Sequence, residues 1–273
     1  MSESIYEHHL SLMQDRLCPF KFNSTPNVRD TVCNWHTNIE VLSVTDGEGR
    51  MQYNSDEFGV SKHDIIIINS GDLHRIYSDS GISFDYLIID ESFCRENGIR
   101  TDTRRFERVF NCEDTERLLN SAYERYRLYK SDNSPINTAL LRLSVLELLT
   151  ELYSRHSQPI AGDILESRSP RDYVKKTIEY LSEHYTESLT LDEVAAGCGI
   201  TKYHLAREFK RYTGQTVITY VNILRCKKAD VCLSQGMTVT EAAVECGFES
   251  ISYFSRTYKK LKGVSPSIVR CGG

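Results

Sequence analysis

Between residues 31 and 90 the apolar positions fall into short runs, 39–44, 50–53, 65–68 and 84–89. They are separated by Asp46-Gly47-Glu48-Gly49, Asn69-Ser70-Gly71-Asp72 and Asp79-Ser80-Gly81. Short alternating or continuous apolar runs punctuated by glycine-bearing turns predict many short strands, and so a sandwich or barrel. From residue 114 the period becomes helical. One amphipathic helix is predicted over about 114–129 and another over 137–156, the second with Leu141, Val145, Leu148 and Leu152 along one stripe and Leu140, Leu143, Leu146 and Leu149 widening it. A helix apolar on adjacent faces is either packed on two sides or shared with a second subunit, and a homodimer contact is expected here. Residues 158–170, with Pro159, Gly162, Ser167, Ser169 and Pro170, lose all periodicity and read as a linker.

The last third of the chain carries one pattern twice. Thr190, Glu193, Ala195, Cys198 and Gly199 recur 48 residues later as Thr238, Glu241, Ala243, Cys246 and Gly247. After a one-residue insertion, Arg207, Lys210 and Gly214 recur 49 residues later as Arg256, Lys259 and Gly263. A Thr with Glu three residues on is a capping box, and a glycine after the last helical residue ends the helix. Each copy therefore predicts a short helix, a tight turn and a second helix. Leu205 and Phe209, or Phe254 and Tyr258, point inward, while Arg and Lys stay exposed. This is a helix-turn-helix, at about 190–213 and again at 238–262. A helical pattern over 217–234 joins them, and two readers on one rod predict two major-groove contacts roughly 34 Å apart.

Charge supports a nucleic-acid partner. Residues 171–273 hold 15 Lys+Arg against 11 Asp+Glu, a net of +4, whereas the preceding 170 residues carry a net of −9. The stretch AAVECGFESISYFSRTYKKLKGVSPSIVR at 242–270, with YHLAREFKRYTG at 203–214 and the segment 225–233, resembles the AraC/XylS family of transcriptional regulators. Val217 stands where that family usually has Pro, and Tyr258 where it usually has Phe. The resemblance implies residue roles that the spacing also allows. Tyr203 with Arg207, and Ser252 with Arg256, lie four apart on one face of each second helix and would read base edges, with Ile251 beside them. Lys202, Lys210 and Lys259 would neutralise phosphates, and His204 is expected to make a surface or phosphate contact.

The spacing Trp35-His36, Glu40, Gly47, then Gly71-x-x-His74 resembles a cupin, the small barrel that many AraC-type regulators use as a sensor. Asn34 replaces the first motif His, Asn69 a Pro and His63 a Gly. Three nitrogen and oxygen ligands still suit iron, manganese or zinc, so a metal-dependent cupin enzyme fused to a DNA-binding domain is the alternative. The favoured expectation is that His36, Glu40, His74 and Trp35 border a small effector, with no metal, no cofactor and no catalysis. A sugar or sugar derivative is the effector the resemblance implies.

Nine cysteines show neither a Cys-x-x-Cys pair nor zinc spacing and read as reduced, mostly buried thiols. No apolar run reaches the roughly 18 residues of a membrane span, and the first ten residues lack a secretory signal's features, so a cytoplasmic protein is expected. The whole predicts a multi-domain α+β chain. A cupin-like β-barrel with a helical dimerisation segment occupies 1–157, a linker 158–170, and an all-α domain of seven helices with two readers 171–273. Its expected function is that of a transcription regulator, taken as an activator. Its partners would be promoter DNA, a small effector, a second copy and RNA polymerase, and effector binding would act through the barrel or its N-terminal arm.

Overall fold

Ile65–Ile68 shows how the sheet is built, since all four isoleucines are buried, Ile65 and Ile67 against one apolar cluster and Ile66 and Ile68 against another. A strand apolar on both faces belongs inside a sheet that is covered on both sides. The structure is a computed structural model describing residues 17–160 and 170–271, so 1–16, most of the expected linker and 272–273 lie outside the described residues. The described parts form two compact units, 17–160 and 170–271.

In the first unit the strands are β1 (Phe20–Asp30), β2 (Ile39–Tyr53), β3 (Asp56–Ser61), β4 (Ile65–Ile68), β5 (His74–Ile89), β6 (Arg104–Phe106), β7 (Val109–Phe110) and β8 (Ser157–Pro159). The main sheet runs β1-β5-β2-β4-β7, with β3 also paired to β2, and these pairs are antiparallel. It begins at β1 and ends at β7, so the expected barrel is an open sheet folded over itself. Gln158 and Pro159, expected to open the linker, instead lie with Ser157 in β8, which pairs with Arg104–Phe106.

Two of the three glycine-bearing segments read as turns lie inside strands. β2 and β5 run for 15 and 16 residues, and their mutual register shifts between Val44 and Asp46 and again between Gly47 and Arg50. Gly47 and Gly81 have φ of +80° and +101°. A Cβ at Gly47 would lie 2.6 Å from the Gly81 carbonyl oxygen, and one at Gly81 would lie 2.1 Å from Asn27 Oδ1. Glycine here permits bulges that bend neighbouring strands at one level and fold the sheet, where a hairpin would have reversed the chain. His63, in place of a cupin glycine, has φ +74°, which explains why glycine suits that position.

Helices α1 (Glu91–Glu96), α2 (Glu113–Ser131) and α3 (Pro135–Arg155) complete this unit. Ile39, Val41, Leu87 and Ile89 of the sheet meet Leu119, Leu141, Val145, Leu148 and Leu152 in one cluster. Each such leucine contributes roughly 1.5–3 kcal/mol by burial. The opposite face of the sheet holds Leu42, Val44, Met51, Tyr53, Ile76 and Phe84. Ile136 and Leu143 on α3 remain 72% and 61% exposed.

The second unit contains seven helices among the described residues: α4 (Pro170–His184), α5 (Leu191–Gly197), α6 (Lys202–Thr213), α7 (Val217–Ser234), α8 (Val239–Glu245), α9 (Ile251–Lys262) and α10 (Pro266–Cys271). Both capping boxes form with matching geometry. The Thr190 and Thr238 hydroxyls each accept from the Glu193 or Glu241 N–H at 3.2 Å, and each Glu carboxylate accepts from its Thr N–H at 2.8 Å. Val217, where the family has Pro, is the first residue of α7 after the Thr216 cap, a position where proline costs no hydrogen bond. α7 buries Tyr220, Leu224, Cys226, Ala229 and Leu233, as a helix packed between the two copies of the repeat must. Within the described residues no helix is long and apolar enough to cross a membrane.

Candidate DNA-reading helices and sensor cluster

The two second helices of the repeat are set up alike. Thr201 caps α6 by accepting from the His204 N–H at 3.3 Å, and Ser250 caps α9 by accepting from the Tyr253 N–H at 3.4 Å. Leu205 and Phe209 anchor the first helix, and Phe254 and Tyr258 the second, all essentially inaccessible. The opposite faces expose Tyr203 (80%), Arg207 and Lys210 on α6, and Ile251, Ser252, Arg256 and Lys259 on α9.

Their electrostatics differ between copies. Arg207 donates from Nε to Glu208 Oε1 at 2.9 Å and lies 3.2 Å from His204 Nδ1, while Arg211 approaches Glu208 Oε2 at 3.2 Å. Glu208 is buried, and the second copy has Thr257 at that position. Arg256, Lys210 and Lys259 have no ion-pair partner among the described residues, whereas Lys202 pairs with Asp192 at 3.0 Å. His204 is half-buried and edge-on to Tyr173, 6.2 Å between centroids. Glu208 was absent from the sequence reading. An acidic residue between Arg207 and Arg211 on a basic helix was the available signal.

In the first unit the fold brings together His36, on the loop before β2, Glu40, on β2, and His74, which opens β5. Their ligating atoms lie within 4.8 Å of one another. The Asn34 and His74 backbones exchange hydrogen bonds at 3.0 and 2.9 Å, and Gly71 N–H donates to the His36 carbonyl at 2.7 Å, which seats the loop against β5. His36 Nδ1 donates to the Asn38 carbonyl at 2.9 Å, and His74 Nδ1 to the Asp72 carbonyl at 3.1 Å. A carbonyl only accepts, so each Nδ1 carries the proton and each Nε2 is turned to Glu40 Oε2, at 2.9 and 3.5 Å. Three such atoms can hold a hydroxyl, a shared proton or a divalent cation. Asn34, in place of a motif His, turns its side chain to the Trp35 N–H at 2.8 Å. Trp35 itself is half-buried. Asp72, expected only as part of a turn, is fully buried, bonded to Asn54 at 2.8 Å and paired with Arg105. An open groove of about 600 Å³ beside Arg50, Glu57, Phe58 and Tyr77 is not lined by this cluster.

Burial lowers the His36 pKa to about 4 and also lowers that of His74, so both rings are neutral at pH 7. An unfolded histidine takes up its proton near pH 6.5. Below that pH the unfolded chain binds more protons than the folded one, so stability is full above about pH 6.5 and declines as pH falls toward about 4. The melting temperature of the first unit should decline over that interval, and His36→Gln should make the decline shallower. An equally steep decline in the variant would assign it to other groups.

Comparison with known proteins gives two family matches. Residues 29–149 match the family described as the AraC-like ligand binding domain, and residues 185–271 match a helix-turn-helix domain family. The Bacillus subtilis HTH-type transcriptional regulator YbfI is 26% identical over 223 residues, covering 80% of this chain and 79% of the relative. The Escherichia coli transposon Tn10 TetD protein is 35% identical over 98 residues, which are 36% of this chain and 71% of that protein. Among solved structures, unsaturated fatty acid-bound ToxT from Vibrio cholerae aligns with a TM-score of 0.47 at 14% identity, covering 91% of this chain and 94% of the other.

Proposed function

The chain belongs to the AraC family of helix-turn-helix transcriptional regulators, DNA-binding proteins with an N-terminal ligand-binding domain, and from that premise we propose how its side chains divide the work. α6 and α9 lie in successive major grooves. Arg207 and Arg256 read guanine, helped by Tyr203, Ile251 and Ser252, while Lys202, Lys210, Lys259 and His204 sit on phosphates. The observation that carries this reading is the pair of hydroxyl-capped helices, Thr201 on α6 and Ser250 on α9, each anchored by buried aromatic side chains and each presenting a basic face. Residues 171–273 are the DNA-binding domain, joined through the 158–170 linker to the sensor.

His36, Glu40 and His74, with Trp35 alongside, bind the effector. Two imidazoles, each held by a backbone carbonyl, and the carboxylate they face favour a hydroxylated small molecule such as a sugar derivative. Ile136, half-buried Leu140 and Leu143, spaced four and three along α3, form the seam for a second copy. The protein acts in the cytoplasm as an activator that contacts RNA polymerase and catalyses no reaction. Selection of binding sites from random duplexes by the full chain tests the DNA reading. Two half-sites about one helical turn apart are expected, and a single half-site would overturn the two-reader arrangement.

A further inference from the structure

Gly199 and Gly247 are equivalent in the repeat, with φ of +70° and +78°, yet their surroundings differ. A Cβ at Gly199 would meet nothing within 4 Å, whereas at Gly247 it would lie 2.1 Å from the Thr186 carbonyl oxygen and 2.8 Å from the Thr186 Cα. Conformation alone explains the first glycine. At 247 the turn of the second copy is also pressed, backbone to backbone, against the segment joining α4 to α5, an approach that a side chain would block.

The same junction is fastened from α7. Arg225 donates from Nε to the Tyr185 carbonyl at 2.6 Å and from a terminal nitrogen to the Glu187 carbonyl at 2.7 Å. Its guanidinium lies 5.5 Å from the centre of the Phe248 ring. One arginine thus holds the carbonyls on either side of Thr186 and stacks on the residue after Gly247. Ser188 adds a bond to Glu249 at 3.3 Å. The two copies also meet through α7, where Tyr220 packs edge-on to Phe209 of α6 and Asp230 accepts from Tyr258 and Lys262 of α9. A lone helix bends and twists along its length. A second attachment away from its axis removes that freedom.

We propose that Arg225 and Gly247 are specificity-determining positioning residues, clamping the two reading helices at one separation and rotation so that the chain accepts one half-site spacing. Adding one base pair between half-sites moves them apart by about 3.4 Å and rotates one by roughly 35°. A rigid pair of readers cannot follow that change, and a loosened pair can.

The inference rests on both readers engaging one duplex, and the test separates the two ideas. The full chain is titrated with duplexes carrying the two selected half-sites, with the spacer shortened or lengthened by one and two base pairs. Wild-type affinity is expected to drop by about tenfold or more for a one-base-pair change. Arg225→Ala should flatten that profile while leaving base preference within each half-site unchanged, and Arg225→Lys, which keeps the charge and loses the two-pronged grip, should fall between. Gly247→Ala should shift the preferred spacing, because the new Cβ must displace Thr186. Should Arg225→Ala or Gly247→Ala fail to fold, Arg225→Lys decides. An Arg225 variant that melts earlier yet keeps the wild-type spacing profile would reduce the residue to a structural role and overturn the proposal. A flat wild-type profile would instead remove the two-reader reading, and the clamp with it.

Discussion

Arg256→Ala lowers affinity for the selected duplex by about 1–3 kcal/mol, roughly 5- to 150-fold, and relaxes base preference in one half-site only. Arg207→Ala does the same in the other half-site, but the two variants differ in stability. Arg256 has no ion-pair partner among the described residues, so its removal leaves the melting temperature of the DNA-binding unit unchanged. Arg207 hydrogen-bonds the buried Glu208 carboxylate, and its loss leaves that charge to Arg211 alone, which lowers the melting temperature. Lys210→Ala weakens all sequences about equally, as a phosphate contact does. Titrations against the selected duplex and a scrambled one, with melts of each variant, check the set. Unchanged base preference in both arginine variants would remove them from base reading.

His74→Ala abolishes the effector response while leaving effector-free DNA binding intact. The imidazole is fixed by the Asp72 carbonyl and aimed at Glu40, so truncation removes one of three convergent polar groups. An unpaired buried partner costs about 1–3 kcal/mol of ligand affinity. A reporter driven by the selected operator, challenged with a panel of hydroxylated small molecules, reads the response. A normal response in the variant would place the effector elsewhere in the first unit. Metal analysis of the same proteins, purified without chelator or nickel resin, supplies the opposite outcome. Stoichiometric metal present in wild type and lost in His74→Ala would favour the metal-enzyme alternative.

The DNA-binding half was legible because its information is local. Capping boxes, terminating glycines and the helical period each act within a few residues, and duplication printed the pattern twice. The spacing of His36, Glu40 and His74 also marked a real juxtaposition, although Glu40 pairs with Ile88 and His74 with Tyr53, so the Asn34–His74 backbone bridge rather than strand register ties His74 to the loop that carries His36. The sheet was read less well where glycine has two uses. Gly47 and Gly81 bend long strands, and a bulge interrupts the two-residue period just as a hairpin does. Ser157–Pro159 became a strand through pairing with Arg104–Phe106, some fifty residues away, which no local pattern announces. The burial of Glu208 and Asp72 stayed invisible because a buried carboxylate is specified by the arginines that reach it in three dimensions.

Binding-site selection by residues 171–273 alone tests the central claim most directly. That fragment should be helical by circular dichroism, should bind duplex DNA with strong salt dependence, and should recover the same two half-sites at the same spacing as the full chain. A folded fragment that recovers no motif, while the full chain recovers one, would contradict it.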